Sequence, residues 1–584
     1  MSSIWLLLVC TLADAPAPAA KPAPIKADYA MDSDPKLPAL TSIKVFSDKY
    51  LPLWLQALDR PEADYQRLAA ETVAQAHLEG MPKMIQAKPA LLRIVSAKET
   101  HPAARFTAAR ALVVLDVKDA APQLFQAAQE SDASVRQIVE PALARWKYEP
   151  AQEVWRKRLA SKDASHREIM LALRCLGDSG DQSALPQILT MVHSQRLSAE
   201  RLVAAQAASQ LKETGLEADA EKLAKKDAAL LDRLCAVALL ERHRGEPAQK
   251  ILLGLGVDPE AAVASASLGR LNAIDPALVL PLAEKAIQHA DSGIRTEGAR
   301  ALAALPTEER LKLLGKLLAD PHPALRAMTR EELRRLAADP KWQTFIHQSA
   351  TDALNADDWR GQEQAALLLG HLGHRPAAPR LIKLMDSTRG EVMISSAWAL
   401  RKLALPETLP YLLKKANYIT DVRLRQRNFE ELDFQGAHVL EALGLMNHKP
   451  AEPLLRRYVA KNYSMGEYSR SAAIWSLGLL HAGKPDEPLA EQIIGRITES
   501  GAAMPPEFPR VRLGGSLSLG KMKAASQAKA LRDYLGTAGT SDLYLAIRWS
   551  LKEITGEETP LPPPILLSKG GWFLEPLDIS PDAP

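Results

Sequence analysis

The chain has 584 residues, of which 47% are apolar and 24% charged, and its 73 Lys and Arg nearly balance 70 Asp and Glu. These fractions are those of an ordinary globular protein and exclude wholesale disorder. A formal charge of +3 gives no overall basic footprint for nucleic acid, and three cysteines are too few for a disulfide scaffold. At roughly 150 residues per domain, this length predicts about four domains unless the sequence repeats itself.

The chain begins with an apolar run from Ile4 to Ala13, which is shorter than the roughly 20 residues of a membrane-spanning helix. Small-residue sites follow at Ala13-Asp14-Ala15 and Ala17-Pro18-Ala19, as in an exported precursor. We therefore expect residues 1–20 to be a signal peptide and the protein to be exported to the periplasm, cell envelope or medium. Leu7-Leu8-Val9-Cys10 resembles the lipobox of bacterial lipoproteins, but Val9 departs from it, so a lipid anchor at Cys10 is the weaker alternative.

Proline sets the character of both chain ends. Six prolines lie between Pro16 and Pro38, which predicts an extended tether over residues 21–40. In the tail, residues 557–584, the prolines forbid a regular helix. We expect the apolar tail residues to pack on the last repeat, or alternatively to dock a partner.

Between Tyr65 and Gly556 the chain repeats a pattern about 31 residues long. Clear copies start at Asp132 (DASVRQIVEPALARW) and Asp291 (DSGIRTEGARALAAL). Each places small or apolar residues three, four and seven positions after an anchor residue, which is the spacing of one helix face. The fifteen anchors are Gln66, Arg105, Arg136, Glu168, Arg201, Arg233, Ala264, Arg295, Arg326, Gln362, Met393, Gly436, Arg470, Arg512 and Tyr544.

A second, independent pattern supports this register. Proline falls 17 or 18 residues after seven anchors and suits the first turn of a helix. Each unit is therefore predicted to contain a helix A, which often starts with proline, and a helix B, which carries the anchor. The prolines are Pro122, Pro186, Pro281, Pro379, Pro410, Pro453 and Pro488. Expected caps of B helices are Asp132, Asp163, Asp258, Asp291 and Asp320.

One helix pair cannot bury its apolar face alone, so the pairs must stack. This pattern resembles the HEAT-repeat (armadillo-type) family, in the short-repeat variety also found in phycobilin lyases. The resemblance implies an all-α fold, a right-handed α-solenoid of two-helix repeats over residues 41–556. It also implies a concave surface that is lined by B helices and holds partners, and it implies no reaction.

The register indicates which side chains of helix B face away from the core. Five positions after the anchor, the C-terminal units have Trp398, Glu441, Trp475, Leu517 and Trp549, so three of the ten tryptophans share one register position. An exposed row of rings would bind a peptide, a glycan or an apolar partner segment. The alternative is that the rings fill gaps between neighbouring B helices.

Two long intervals, before Gly436 and before Arg512, insert loop material next to the Trp-bearing units. Such insertions often carry binding in solenoids. Candidate partner-binding residues in the two insertions are Arg423, Arg425, Arg427 and Phe508. The alternative is loop growth without function.

Histidine and cysteine do not predict a metal or redox site. His371, His374 and His481 recur at helix ends, where imidazole caps a C-terminus. Because neighbouring helices lie about 8–10 Å apart, residues of different units do not share one ion, and Cys175 and Cys235 lie too far apart for a disulfide. Both cysteines are predicted to be free, buried thiols.

The sequence contains no phosphate-binding loop, GxSxG elbow, HExxH or CxxC motif. The basic pairs at 334–335 and 456–457 lie beside acidic residues, which disfavours nucleic acid as a partner. We therefore expect an exported, non-enzymatic scaffold with no cofactor or metal and no transmembrane span, which binds a protein on its concave face. Two alternatives stay open: a phycobilin-lyase-like enzyme or chaperone, and a glycan-binding module that uses the tryptophan row.

Overall fold

The computed structural model describes residues 24–194, 196–425, 430–499, 505–568 and 570–575. These ranges contain 30 α-helices and two short strands. The chain divides into two compact units. The first unit comprises Leu40–Pro306 with Pro563–Pro584, and the second unit comprises Thr307–Pro562 with Met1–Ala39.

The first unit contains sixteen helices within its described residues. They are α1 (Tyr50–Asp59), α2 (Ala63–Leu78), α3 (Lys88–Ser96), α4 (Pro102–Val114), α5 (Ala121–Glu130), α6 (Ala133–Arg145), α7 (Glu149–Ala160), α8 (His166–Ser179), α9 (Leu185–Val192), α10 (Ser198–Leu211), α11 (Glu217–Leu223), α12 (Leu230–Leu239), α13 (Glu246–Leu255), α14 (Ala261–Ile274), α15 (Leu280–Ala286) and α16 (Ser292–Ala304).

The second unit contains fourteen helices within its described residues. They are α17 (Glu308–Lys316), α18 (Pro323–Leu336), α19 (Pro340–Asn355), α20 (Trp359–His371), α21 (Ala378–Leu384), α22 (Gly390–Leu403), α23 (Leu409–Arg425), α24 (Glu430–Leu445), α25 (Glu452–Arg456), α26 (Glu467–Leu480), α27 (Glu487–Ile497), α28 (Pro509–Met522), α29 (Ala528–Leu535) and α30 (Asp542–Thr555).

The helix bounds confirm the predicted register. Every anchor lies in an even-numbered helix, so the odd helices are the A helices and the even helices are the B helices. Each of the seven prolines is the second residue of an A helix. Asp132 and Asp291 accept hydrogen bonds from free N–H groups at the starts of α6 and α16, as predicted. At three helices the prediction is wrong. Ser165, not Asp163, is the N-cap of α8, and it forms a reciprocal capping box with Glu168. The N-caps of α14 and α18 are Glu260 and His322, and Asp258 and Asp320 accept from the N–H groups of these two residues instead.

The tail makes contacts in both units. In the second unit, Tyr544 and Arg548 of α30 donate to the carbonyl oxygens of Pro560 and Thr559, so the start of the tail contacts the last repeat through its backbone. The expectation that the apolar tail residues pack on this repeat is wrong for Leu561, which is exposed, and for Trp572 and Phe573, which pack in the first unit. In the first unit, strand β2 (Ile565–Ser568) pairs in parallel with strand β1 (Ser42–Val45). The later tail residues therefore pack on the first repeat: the Trp54 indole donates to the carbonyl oxygen of Phe573, and the Trp54 ring contacts that of Trp572.

Small residues set the contact between B helices in the second unit. From α20 to α30, successive B helices pack against each other more extensively than successive A helices do. Four glycines stand eight positions after their anchors, and a Cβ on any of them would lie 2.7–2.8 Å from a backbone Cα of the next B helix. The pairs are Gly370 with Ala399, Gly444 with Ser476, Gly478 with Ser518, and Gly520 with Ser550. Only glycine therefore permits this helix spacing.

Cys175 and Cys235 are buried, and neither forms a disulfide within the described ranges. The predicted free thiols are therefore confirmed. The predicted signal peptide and Cys10 lie outside the described residues. No described helix combines the length and apolar character that a membrane span requires.

Candidate functional site

Residues 24–38, here called the N-terminal segment, lie against the B helices of the second unit. Apart from a single 3-10 turn at Ala30–Asp32, the segment has no helix or strand, in line with its prolines. It is nevertheless packed and is not a free tether. The physical reason lies between the prolines, where Ile25 and Met31 are buried.

Side chains of B helices bind the backbone of this segment along its length. On α18, Glu331 accepts the N–H of Ile25 at 2.9 Å, and Arg330 donates to the carbonyl oxygen of Ile25 at 3.1 Å. On α22, Arg401 donates to the carbonyl oxygen of Asp28 at 2.6 Å. These bonds fix the first half of the segment.

The second half is held in the same way. On α24, Glu441 accepts the N–H of Met31 at 3.0 Å, and on α26 the Trp475 indole donates to the carbonyl oxygen of Asp34 at 2.8 Å. Backbone groups of the segment are thus bound from four B helices. We call this surface the segment-binding face. It is formed by Arg330, Glu331, Trp398, Arg401, Lys402, His438, Glu441, Tyr468, Trp475, Arg510 and Lys521.

The carboxylates of the segment meet basic residues on this face. Asp28 accepts from the Trp398 indole at 2.7 Å and from Arg401 at 3.0 Å, and Lys402 lies 3.7 Å away. Burial alone would raise the pKa of Asp28, but the Trp398 hydrogen bond and the two cations outweigh it and hold the pKa below its ordinary value. Asp28 is therefore ionised at neutral pH.

Two further carboxylates follow along the segment. Asp32 pairs with Arg510 of α28, and Asp34 pairs with Lys521 of the same helix at 2.9 Å. The Lys521 ammonium also lies over the rings of Trp475 and Trp549, at 5.4 and 5.8 Å from their centroids. Two of the three tryptophans of the row therefore form one cluster with Lys521 at this end of the face.

The Tyr29 side chain enters a slot between aromatic groups. Its ring stacks on His438 with centroids 4.6 Å apart and contacts Tyr468 at 5.0 Å. The Arg510 guanidinium lies over both tyrosine rings, at 5.1 Å from Tyr29 and 4.6 Å from Tyr468. Burial lowers the pKa of His438, so the imidazole is neutral where it stacks on Tyr29.

A buried ion pair lies under the middle of the segment. Arg401 and Glu441 meet at 3.0 Å, and their side chains are 2% and 0% exposed. Each also bonds the segment backbone, Arg401 at Asp28 and Glu441 at Met31. The segment therefore contributes to the hydrogen bonding of this buried pair.

The predicted tryptophan row lies at this face. Trp398 and Trp475 are buried, and both indole N–H groups bond the segment, whereas Trp549 is half-buried and contacts Gly520 of the preceding B helix. The expectation of exposed rings is therefore wrong for Trp398 and Trp475, which pack within the unit and donate to a segment of the same chain. In the first unit, the corresponding positions of α10, α12 and α14 are Gln206, Ala238 and Gly269, which line a groove of ≈ 410 Å³.

The insertion residues lie elsewhere. Arg423 is buried and donates to the carbonyl oxygen of Ser464 at 3.0 Å, while Arg425 is exposed at the end of α23. Arg427 lies outside the described residues. Phe508 packs edge-on against Tyr463 with centroids 4.7 Å apart. The structure does not show these side chains contacting the segment.

The second insertion contributes one member, Glu507, to a buried ion pair that the sequence does not predict. Glu507 receives two hydrogen bonds from Arg470, at 2.7 and 2.8 Å, and both side chains are fully buried. Burial would raise the pKa of Glu507, but Arg470 outweighs it and the pKa is lowered. Arg470 is the anchor of its repeat, so its place in a B helix was predicted from the sequence, but its pairing with Glu507 was not.

The sequence patterns also did not single out three basic residues of the segment-binding face, Arg401, Arg510 and Lys521. A register signal existed for Arg401, because it stands at the +8 position that is glycine in four other repeats of this unit.

One group of three candidate metal ligands occurs among the described residues: Glu452, His481 and Asp486. Arg456 donates to both carboxylates, at 2.7 Å for Glu452 and 2.5 Å for Asp486, and His481 bonds Glu452 at 2.9 Å. A guanidinium therefore supplies the positive charge in this cluster, which we interpret as an ion-pair network.

Within the described residues, fifteen helix pairs follow one another along the chain, as in an all-α solenoid. Residues 348–428 match the HEAT repeats family. This match, together with the stacked helix pairs, confirms the resemblance to HEAT repeats noted from the sequence.

The fold is similar to that of importin beta crystallised in an ammonium sulfate condition. The two share 14% identity over 86% of this chain and 72% of that chain, with a TM-score of 0.50. A mutant of Kap121p is 13% identical over 87% of this chain and 57% of that chain, also with a TM-score of 0.50. No curated protein matches the sequence. At these identities the two structures support the fold alone.

Proposed function

We propose that this protein is a scaffold that binds an extended polypeptide on the segment-binding face of its second unit. The observation that carries the proposal is the set of five hydrogen bonds between side chains of the face and the backbone of the N-terminal segment. Arg330, Arg401 and Trp475 donate to backbone carbonyl oxygens, and Glu331 and Glu441 accept from backbone N–H groups. Every peptide presents these backbone groups, so the same bonds are available to another chain. The proposed role involves binding and no reaction.

The tryptophan row supports a peptide more than a glycan. Sugar stacking needs an exposed ring face, and the Trp398 and Trp475 rings are 1% and 0% exposed beneath the segment. Their indole N–H groups point at peptide oxygen atoms instead. A lyase-like role rests on the type of repeat alone, and no feature of the described residues adds support for it.

We further propose that the protein is exported, as the apolar run before residue 14 and the small residues after it indicate. N-terminal sequencing of the protein from its native source tests this. A mature chain that begins between residues 14 and 20 supports export, and an intact Met1 contradicts it. Lipid attachment at Cys10 would add an acyl mass to the first peptide.

The peptide proposal is tested with a labelled synthetic peptide of residues 24–38. Its receptor is the full chain carrying Asp28→Ala and Met31→Ala, here called the segment-weakened variant. Both changes lie in the occupant and leave every residue of the face intact. We expect fluorescence anisotropy to report saturable binding to this variant.

Two further substitutions in that variant form a matched pair. Trp475→Phe removes the indole N–H that binds the segment backbone, and should weaken peptide binding about fivefold to tenfold, the worth of one hydrogen bond of about 1–1.5 kcal/mol. Trp549→Phe makes the same chemical change at a ring for which no hydrogen bond to the segment is seen among the described residues, and should leave binding within about twofold. Absence of binding to a folded variant, or equal effects of the two substitutions, would contradict the proposal.

A further inference from the structure

We propose that the partner recognised by the segment-binding face is an acidic peptide with a tyrosine, and that it binds by displacing the N-terminal segment. This inference rests on the proposed function and adds the chemistry of the partner. Backbone bonds give affinity for any extended peptide, whereas side-chain contacts give selectivity. The segment shows which side chains the face accepts.

The face selects negative charge at three places. Asp28 meets Trp398, Arg401 and Lys402, Asp32 meets Arg510, and Asp34 meets Lys521. Acidic residues at positions i, i+4 and i+6 of a peptide would therefore each find a cation. A basic peptide would bring like charges together on the same surface, which disfavours it.

The face also selects an aromatic ring at position i+1. The Tyr29 ring is held by His438 on one side and by Tyr468 and Arg510 on others. Stacking and cation–π contacts each contribute roughly 0.5–1.5 kcal/mol. An apolar side chain is accepted at i+3, where Met31 is buried. The combined pattern is Asp-Tyr-x-Met-Asp-x-Asp, which is the sequence of the segment itself.

Two features make the segment replaceable. Its three carboxylates are 45–49% exposed, so water screens each ion pair and weakens it. It also leaves space unfilled: a cleft of ≈ 1100 Å³ lies between residues 35–38 and the starts of α28 and α30, where Pro509, Leu513 and Leu543 line it. A partner peptide that extends into this cleft gains apolar contacts beside those of the segment.

An arriving peptide can take over the backbone bonds that the segment makes to Arg401 and Glu441, because every peptide carries the same groups. The attached segment acts at an effective concentration of the order of mM. The wild-type chain should consequently bind a free peptide at least tenfold more weakly than the segment-weakened variant does.

The test uses three labelled peptides of residues 24–38: the parent, one with all three Asp changed to Asn, and one with Tyr29→Ala. On the segment-weakened variant, we expect each altered peptide to bind at least tenfold more weakly than the parent. Only the parent and the Tyr29→Ala peptide should weaken steeply as salt is raised. On the wild-type chain, parent binding should be at least tenfold weaker, and Lys26→Ala, an exposed change in the segment, should behave like the wild type.

The outcomes separate the two proposals. If no peptide binds the folded variant, the proposed function fails. If all three bind equally, peptide binding stands and the acidic-tyrosine selectivity is wrong. If the wild type and the variant bind the parent equally, displacement is wrong. If light scattering shows a concentration-dependent dimer that dissociates when the parent peptide is added, the face binds the N-terminal segment of a second copy. That result overturns the proposal of a different partner.

Discussion

Replacing Gly478 by alanine tests the account of how the B helices approach each other. A Cβ at this position would lie 2.7 Å from the Cα of Ser518 and 2.9 Å from its hydroxyl oxygen. Non-bonded carbon atoms prefer about 3.5–4.0 Å, so α26 and α28 would have to separate by about 1 Å. Such overpacking costs about 1–3 kcal/mol, against a gain of about 0.5–1 kcal/mol for alanine over glycine in a helix. We expect a net loss of about 0.5–2 kcal/mol in the free energy of unfolding.

Gly495 of α27 is the matched control, because a Cβ on this residue would meet no atom within 4 Å. Gly495→Ala makes the same chemical change in a helix and should stabilise the protein by about 0.5–1 kcal/mol. Urea unfolding followed by far-UV circular dichroism compares the two midpoints with the wild type. If Gly478→Ala raises the midpoint as Gly495→Ala does, the helices are not in contact at these glycines and the reasoning is wrong.

Three further predictions concern buried and charged groups. Burial raises the thiol pKa of Cys175 and raises that of Cys235 to about 11. Neither thiol should therefore react with Ellman's reagent in the native protein, and both should react in guanidinium. Glu507→Gln leaves the fully buried Arg470 without its counter-charge and should lower the free energy of unfolding by about 3–5 kcal/mol, measured by urea unfolding. The pKa of Asp28 in the folded protein lies below its ordinary value of 3.8. The Asp28 carboxylate therefore stabilises segment docking above pH 3.8, and this contribution is lost as the pH falls through the pKa of the folded state. Tryptophan fluorescence should show a transition below about pH 4 that is absent in Asp28→Asn.

The repeat architecture could be predicted from the sequence because each helix pair carries the same local signals. The apolar spacing after each anchor and the proline in the first turn of helix A are consequences of single-helix geometry. Both are readable within one repeat. This is why all fifteen anchors fall in B helices.

The occupant of the face could not be predicted in the same way. Trp398 lies 370 residues from Asp28, and Trp475 lies 441 residues from Asp34, and no periodic signal links such distant positions. Proline content correctly indicates that residues 24–38 form no regular helix, but it does not report whether a segment without one is free or bound. The recurrence of tryptophan at one register position located the surface, while the identity of what lies on it required the structure.

The most direct measurement of the central claim is amide hydrogen exchange at Ile25 and Met31 in the full chain. Their N–H groups donate to Glu331 and Glu441, so exchange should be slower than in the free peptide of residues 24–38 by about two orders of magnitude. Saturation with the unlabelled parent peptide should restore fast exchange at both sites while the helices stay protected. Fast exchange at Ile25 and Met31 without added peptide would show that the segment does not occupy the face, and would contradict the account.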